Sequence, residues 1–263
     1  MPITSLEIRQ RIHFTYRLQY LKDVVLARIL DDPTFNVLNG LIFFHQVDIV
    51  QHIQCNTPFL KELFSILSSS DASPQQKKDV VLFVQQACGI AKTLQAECRS
   101  PFYQNLVTSG LFSAINFALQ HNDAPIRVAG TDILVAIIDH DAPMMRNYIF
   151  KSVSDKLKPM TDTLIELLLV ETDLGVKAQI ADAIKVLLDP NVNVPSNGRP
   201  TAQAENNNFL AKLRNSNAGA PTEAFLQSFY DQSAKKLFQP LKDLEHRKSG
   251  RFHHCIDTLP GMR

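Results

Sequence analysis

Three side chains of types that bind metal ions follow one another at helical spacing near the amino terminus: His45, Asp48 and His52. Residues three and four positions apart lie on one face of a helix, so a helix through all three would bring two imidazoles and a carboxylate together. The same residue types also occur as ordinary solvated surface groups, and Asp48 is suited to cap the start of a helix. We interpret these three residues, together with Gln46, as part of a polar surface that contacts a protein partner. We predict no metal ion and no other cofactor.

A second group of histidines lies close to the carboxyl terminus, where His246 precedes the run His253-His254-Cys255. A metal site needs ligands held in a fixed polyhedron, and this stretch has no periodicity that would hold them. We predict no metal site there.

Motifs of catalysis are missing from the sequence: it contains no P-loop, no GxSxG elbow, no HExxH pair and no set of kinase motifs. The sequence therefore predicts a protein that is not an enzyme. An enzyme of unrecognised type built on helical repeats is the alternative from another class.

Basic residues recur at an interval of about 50 residues, at Lys77, Arg127 and Lys177, each just before an apolar helical run. The last two also follow an acid four positions earlier, Asp123 and Asp173. This pattern is similar to the helix starts of HEAT and armadillo units, and it predicts an internal repeat.

Each part of that pattern has a physical role in a stack of repeats. The acid caps the helix, the aliphatic residue between acid and base enters the core, and the base pairs with an acid of the neighbouring repeat. We expect Asp132 and Asp182 to be the acceptors. A ladder of bases that binds an acidic peptide or phosphates is the alternative.

The elements that would carry these residues are helices throughout. Apolar residues recur every three or four positions, and Pro follows Asp, Thr or Ser at several helix starts. We predict an all-α fold, an armadillo/HEAT-like α-solenoid of about four to five helical repeats. The predicted details are one buried stripe of Phe14, Leu18, Leu21, Val25 and Ile29, a second of Phe35, Leu38, Leu41 and Ile42, a core position for Phe43-Phe44, a separate short helix at 47–53, and helix starts at Asp32-Pro33, Thr57-Pro58, Ser73-Pro74 and Ser100-Pro101.

Composition divides the chain into four segments. Residues 1–190 carry the repeat pattern, and 191–220 are rich in Asn, Pro and Gly, which is typical of a flexible loop or linker. Residues 221–244 predict a helix that caps the same domain, with a bend or end at Pro240, and 245–263 form an irregular, weakly basic tail.

The overall composition excludes several classes of partner. The chain has 263 residues, 45% of them hydrophobic and 20% charged, with a formal net charge of +1, so no bulk attraction to nucleic acid or anionic membrane is expected. The four cysteines form no CxxC pair, and no apolar run approaches the roughly 18 residues of a membrane span. We expect a soluble intracellular protein.

Short runs of specific residues are concentrated between Tyr20 and Gln54 and recur more thinly over nearly the whole chain. They are Tyr20-Leu21, Asp23-Val24-Val25-Leu26, Leu30-Asp31-Asp32, Thr34-Phe35, Leu41-Ile42-Phe43-Phe44, Val47-Asp48-Ile49-Val50 and His52-Ile53-Gln54, and later Phe59 to Phe64, Thr93-Leu94-Gln95, Thr131-Asp132-Ile133, Leu188-Asp189-Pro190, Phe225-Leu226 and Phe229-Tyr230. In these runs the chain closely resembles the SMEK family, also called Falafel, the third type of regulatory subunit of protein phosphatase 4.

The resemblance implies a non-catalytic scaffold in the nucleus and cytoplasm that holds the phosphatase 4 catalytic and second regulatory subunits near phosphoprotein substrates. The phosphatase motifs GDxHG, GDxxDRG and GNHE are missing, as expected of an adaptor. Relatives carry a motif-reading amino-terminal domain and a charged tail, so we expect a fragment or a shortened relative. A generic armadillo-like binding module outside the phosphatase pathway is the alternative.

Overall fold

The computed structural model describes residues 3, 5–29, 31–189 and 222–243. Over these residues the chain is helical and has no β-strand, which confirms the predicted all-α, solenoid-like class. Two π-helical turns, Leu21–Val25 and Phe229–Ser233, interrupt the pattern. The helices are α1 (Leu6–Tyr20), α2 (Asp32–Cys55), α3 (Thr57–Ser68), α4 (Pro74–Ala91), α5 (Ala96–Ser109), α6 (Leu111–Leu119), α7 (Ala124–Ser154), α8 (Met160–Val170), α9 (Leu174–Leu188) and α10 (222–243).

The helix starts follow local capping chemistry. Ser73 accepts a hydrogen bond from the backbone N–H of Gln76, whose side chain returns to the Ser73 N–H, and Pro74 occupies the first turn. Asn56 caps α3 in a similar way by accepting from Phe59 N–H. The predicted starts of α3 and α4 are therefore confirmed.

Two predicted boundaries are wrong. Residues 47–53 are the last part of the continuous helix α2 and form no separate helix. Helix α5 begins at Ala96, so that Pro101 lies inside it. Helix α10 covers 222–243, close to the predicted 221–244, and it does not end at Pro240.

The chain forms two compact units, Met1–His140 and Asp141–Arg263. Helix α7 contains a break at Asp141, whose backbone leaves helical geometry at φ −154° and ψ 83°. The Asp141 carboxylate accepts a hydrogen bond from Met144 N–H at 2.9 Å, as a capping residue does. The four sequence-based segments stay predictions, and 191–220 and 245–263 lie outside the described residues.

In the first unit, α4 and the first part of α7 lie side by side and are joined by three polar contacts. Lys78 pairs with Asp123, the Gln85 amide donates to Asp132 at 2.6 Å, and Lys92 Nζ lies 3.9 Å from Asp139 Oδ2. The contacts recur every seven residues along α4, which is about two helical turns, so one face of α4 follows α7.

The core of the first unit brings α6 and α7 unusually close together. A Cβ added to Gly130 of α7 would lie 2.6 Å from the Ala118 Cβ of α6. Only glycine allows this approach, and it lets Leu111, Ile115 and Ile133 become fully buried around it.

In the second unit, α10 packs against α8 through a buried polar network. The Asp162 carboxylate accepts hydrogen bonds from Ser233 and Lys236, both at 2.6 Å, and the Ser233 hydroxyl lies 3.2 Å from that of Thr161. Phe225 is buried in the same unit. No described helix is long and apolar enough to cross a membrane.

Candidate partner-binding surface

Helix α2 exposes apolar side chains in a stretch without charge. Between Asp32 and Asp48 there is no charged residue. Leu38 and Ile42 are buried and pack with Leu18 of α1. The adjoining face of the helix carries Val37, Leu41 and Phe44, of which Leu41 is 42% and Phe44 is 65% exposed. These three residues, spaced four and three apart, form one stripe, which we call the α2 apolar stripe.

The predicted burial of Phe35, Leu41 and the pair Phe43-Phe44 is therefore wrong, since all four side chains are exposed. Periodicity identified an apolar helix correctly, but it could not say how much of that helix has a neighbour. Exposed apolar residues that form a continuous patch are typical of protein-binding surfaces.

The predicted buried stripe on the preceding helix is also wrong, except for Leu18. Phe14, Leu21, Val25 and Ile29 are exposed. The π-helical turn at Leu21–Val25 adds a residue to one turn and shifts the later side chains around the helix axis, so regular spacing no longer keeps them on one face.

The four residues predicted to contact a partner all lie on the second half of α2, with partly buried side chains. Asp48 pairs with Arg11 of α1, and the His45 ring meets Phe14 edge-on with the ring centroids 5.5 Å apart. The inference that Asp48 caps a helix start is wrong, because it lies inside α2. A role of His45, Gln46, Asp48 and His52 in partner binding stays a prediction.

Both histidines of this set have a buried ring nitrogen, Nδ1 of His45 and Nε2 of His52. Neither nitrogen has a hydrogen-bond partner among the described residues. Within the same described residues, no three His, Cys, Asp or Glu side chains converge as metal ligands.

Asp123, the acid predicted to cap a helix, forms an ion pair with a lysine of α4. Asp123 pairs with Lys78, the residue that follows Lys77, and this hydrogen bond holds the pKa of Asp123 below its ordinary value. Asp132 accepts from Gln85. Sequence periodicity marked Lys77, whereas the side chain that pairs with Asp123 is that of the next residue, Lys78.

Three other ladder residues, Arg127, Asp173 and Asp182, have contacts inside their own repeat. Arg127 donates to the carbonyls of His121 and Asn122 at 3.1 and 2.7 Å, and Asp182 pairs with Lys185 of the same helix. Asp173 caps α9 by accepting from Gly175 and Val176 N–H. The side chain of Lys177 is partly buried, as is that of Lys77.

The buried cysteine of α4 is suited to packing and not to nucleophilic chemistry. Burial raises the pKa of the Cys88 thiol to about 12, with a small opposing effect of Lys92, so the thiol is protonated at neutral pH. Cys55, Cys88 and Cys98 are free thiols.

Tyr103, which is fully buried, stacks on His140 with ring centroids 4.6 Å apart.

The described residues thus define a helical-repeat protein with an exposed apolar stripe, the class of protein that binds other proteins along its surface. By sequence, the chain belongs to the family Phosphatase 4 regulatory subunit 3, which matches it over residues 1–258. No solved structure matches the chain.

Three relatives show how far the similarity extends. The chain is 38% identical over 262 residues to an uncharacterised protein of Schizosaccharomyces pombe, covering 95% of this chain and 30% of that protein. It is 42% identical over 178 residues to Suppressor of Mek1 of Dictyostelium discoideum, covering 68% and 17%. It is 31% identical over 197 residues to serine/threonine-protein phosphatase 4 regulatory subunit 3 of Drosophila melanogaster, covering 72% and 20%. The chain therefore spans 30% or less of the length of these relatives.

Proposed function

We propose that this chain is a non-catalytic regulatory or scaffold part of a protein phosphatase 4 complex, which holds the catalytic subunit near phosphoprotein substrates. The family match over residues 1–258 carries the proposal. A scaffold of this kind acts by raising the local concentration of the enzyme at its substrate. We extend the proposal to a second regulatory subunit as partner and to the nucleus and cytoplasm as location.

We further propose that the α2 apolar stripe is the contact for the phosphatase. Leu41 and Phe44 belong to the stretch that resembles the family most closely, and their side chains are exposed instead of packed. A few side chains near the centre of an interface, often aromatic ones, usually carry most of its binding free energy.

The experiment is copurification of the tagged chain with coexpressed phosphatase 4 catalytic and second regulatory subunits. The double variant Leu41→Asp/Phe44→Asp should retain at most about a tenth of the catalytic subunit, because a buried apolar contact would then contain unpaired charge. Circular dichroism checks that the variant is folded, as expected for two exposed positions.

A matched control exists in the second unit, where Val170 and Leu174 are each 79% exposed. The double variant Val170→Asp/Leu174→Asp should bind as the unchanged chain does. Equal loss in both variants would remove the α2 apolar stripe from the proposal. If the unchanged chain captures no catalytic subunit, the phosphatase assignment fails, and the generic armadillo-like binding module takes its place.

A further inference from the structure

Helix α1 carries a second exposed stripe, on the side that faces away from α2. Its members are spaced alternately by four and three residues, which is the spacing of a helix seam that packs against another helix. All of them are exposed, and Leu6 and Tyr20 are 65% and 62% exposed. The stripe, which we call the α1 outer seam, consists of Leu6, Gln10, His13, Arg17 and Tyr20.

The α1 outer seam is apolar at its ends, and between them it carries the cation Arg17. Gln10, His13 and Arg17 line, with Phe14, a surface depression of about 480 Å³. Among the described residues, neither Arg17 nor His13 has a carboxylate partner, whereas the nearby Arg11 is paired with Glu7 and Asp48. The middle of the seam therefore presents positive charge that the described part of the chain does not neutralise.

We propose that the α1 outer seam binds an amphipathic helix of a partner protein, with apolar residues at both ends of its own seam and carboxylates at the centre. Apolar ends would cover Leu6 and Tyr20. A central Asp or Glu would reach Arg17 over the depression, where a guanidinium binds a carboxylate through two hydrogen bonds. Charge complementarity selects this occupant, because a basic or uncharged helix would bury Arg17 without a partner.

The inference goes beyond the proposed phosphatase association, since the α1 outer seam and the α2 apolar stripe lie on different helices. Its test uses the full 263-residue chain and no phosphatase, so either proposal can fail alone. The probe is a fluorescent synthetic helix built on alanine and glutamine, with leucines at both ends of one seam and two glutamates at the centre. The comparison probe replaces the two glutamates with lysines.

Fluorescence anisotropy should show the glutamate probe binding at least about tenfold more tightly than the lysine probe. The glutamate probe places opposite charges together at Arg17, whereas the lysine probe places like charges together there. The variant Arg17→Glu should reverse the preference. Arg17 is exposed, so the variant is expected to fold, and circular dichroism checks this. Lys61→Glu, which makes the same change of charge at an exposed position of α3, should leave both affinities unchanged.

Equal binding of the two probes, or a preference that Arg17→Glu leaves intact, would overturn the inference. Light scattering tests one other occupant. If the chain is a dimer that Arg17→Glu converts to a monomer, a second copy occupies the α1 outer seam, and the acidic-helix assignment is wrong.

Discussion

At the scale of single residues, Arg146 has a larger structural role than any charged residue that the sequence brought to notice. Its side chain is 1% exposed and donates hydrogen bonds to the carbonyls of Val186, Leu187 and Asp189 at 3.0, 2.8 and 2.6 Å. These carbonyls lie at the carboxyl end of α9, where a helix leaves its last acceptors unpaired. Burial lowers the pKa of the guanidinium, and the charge of Asp189 opposes that effect.

We predict that Arg146→Met lowers the free energy of unfolding by about 3 kcal/mol, because three backbone carbonyls at the end of α9 lose the buried guanidinium that donates to them. Urea unfolding followed by circular dichroism measures the change. Lys185→Met is the control, since this exposed lysine of α9 pairs with Asp182 on its own helix, and it should cost less than about 0.5 kcal/mol. Equal losses in the two variants would contradict the role given to Arg146.

At the scale of elements, the packing of α6 on α7 depends on the missing side chain of Gly130. The two helices approach so closely there that the nearest atoms to an added Cβ include the Ala118 backbone carbonyl carbon, at 3.3 Å. Backbone atoms cannot turn aside as the end of a flexible side chain can, so the helices themselves would have to separate.

We predict that Gly130→Ala destabilises the protein by about 2 kcal/mol, the usual cost of overpacking, even though alanine is the better helix former. Gly40→Ala is a matched control. Gly40 lies inside α2 with nothing within 4 Å of an added Cβ, and its replacement should stabilise the protein by about 0.5 to 1 kcal/mol. Thermal unfolding of both variants gives the two signs, and a stabilised Gly130→Ala variant would show that the helices do not meet as described.

At the scale of the whole molecule, each of the two units has its own buried residues. Leu111, Ile115 and Ile133 are fully buried in the first unit, as are Leu164 and Ile180 in the second. A unit with its own core can open without the other, because its stability comes mainly from contacts inside it.

We therefore predict that the two destabilising variants act on different parts of the chain in hydrogen exchange measured by mass spectrometry. Gly130→Ala should speed exchange in peptides from 5–140, and Arg146→Met should do so in peptides from 141–189 and 222–243. Each variant is the control for the other. If either one speeds exchange equally throughout, the chain opens as one cooperative unit.

The sequence by itself determined the features that depend on neighbours along the chain. Ser73-Pro74 and Asn56 set helix starts because their caps are local, and Gly110, at a φ of 130°, ends α5 because few other residues adopt that conformation. The all-α class followed from the same local signals. Family membership followed from the residues between Tyr20 and Gln54, without any knowledge of their packing.

Only the tertiary structure decided which apolar residues are covered and which charges are paired. Phe44 and Ile29 fit a core pattern but are exposed, and Asp123 selects Lys78 although Lys77 has the repeating position. Burial and pairing depend on helices distant in sequence and on the angle at which each is turned, and the π-helical turn at Leu21–Val25 changes that angle. Periodicity determines which residues share a face of a helix, whereas the presence or absence of a neighbouring helix determines whether that face is buried or exposed.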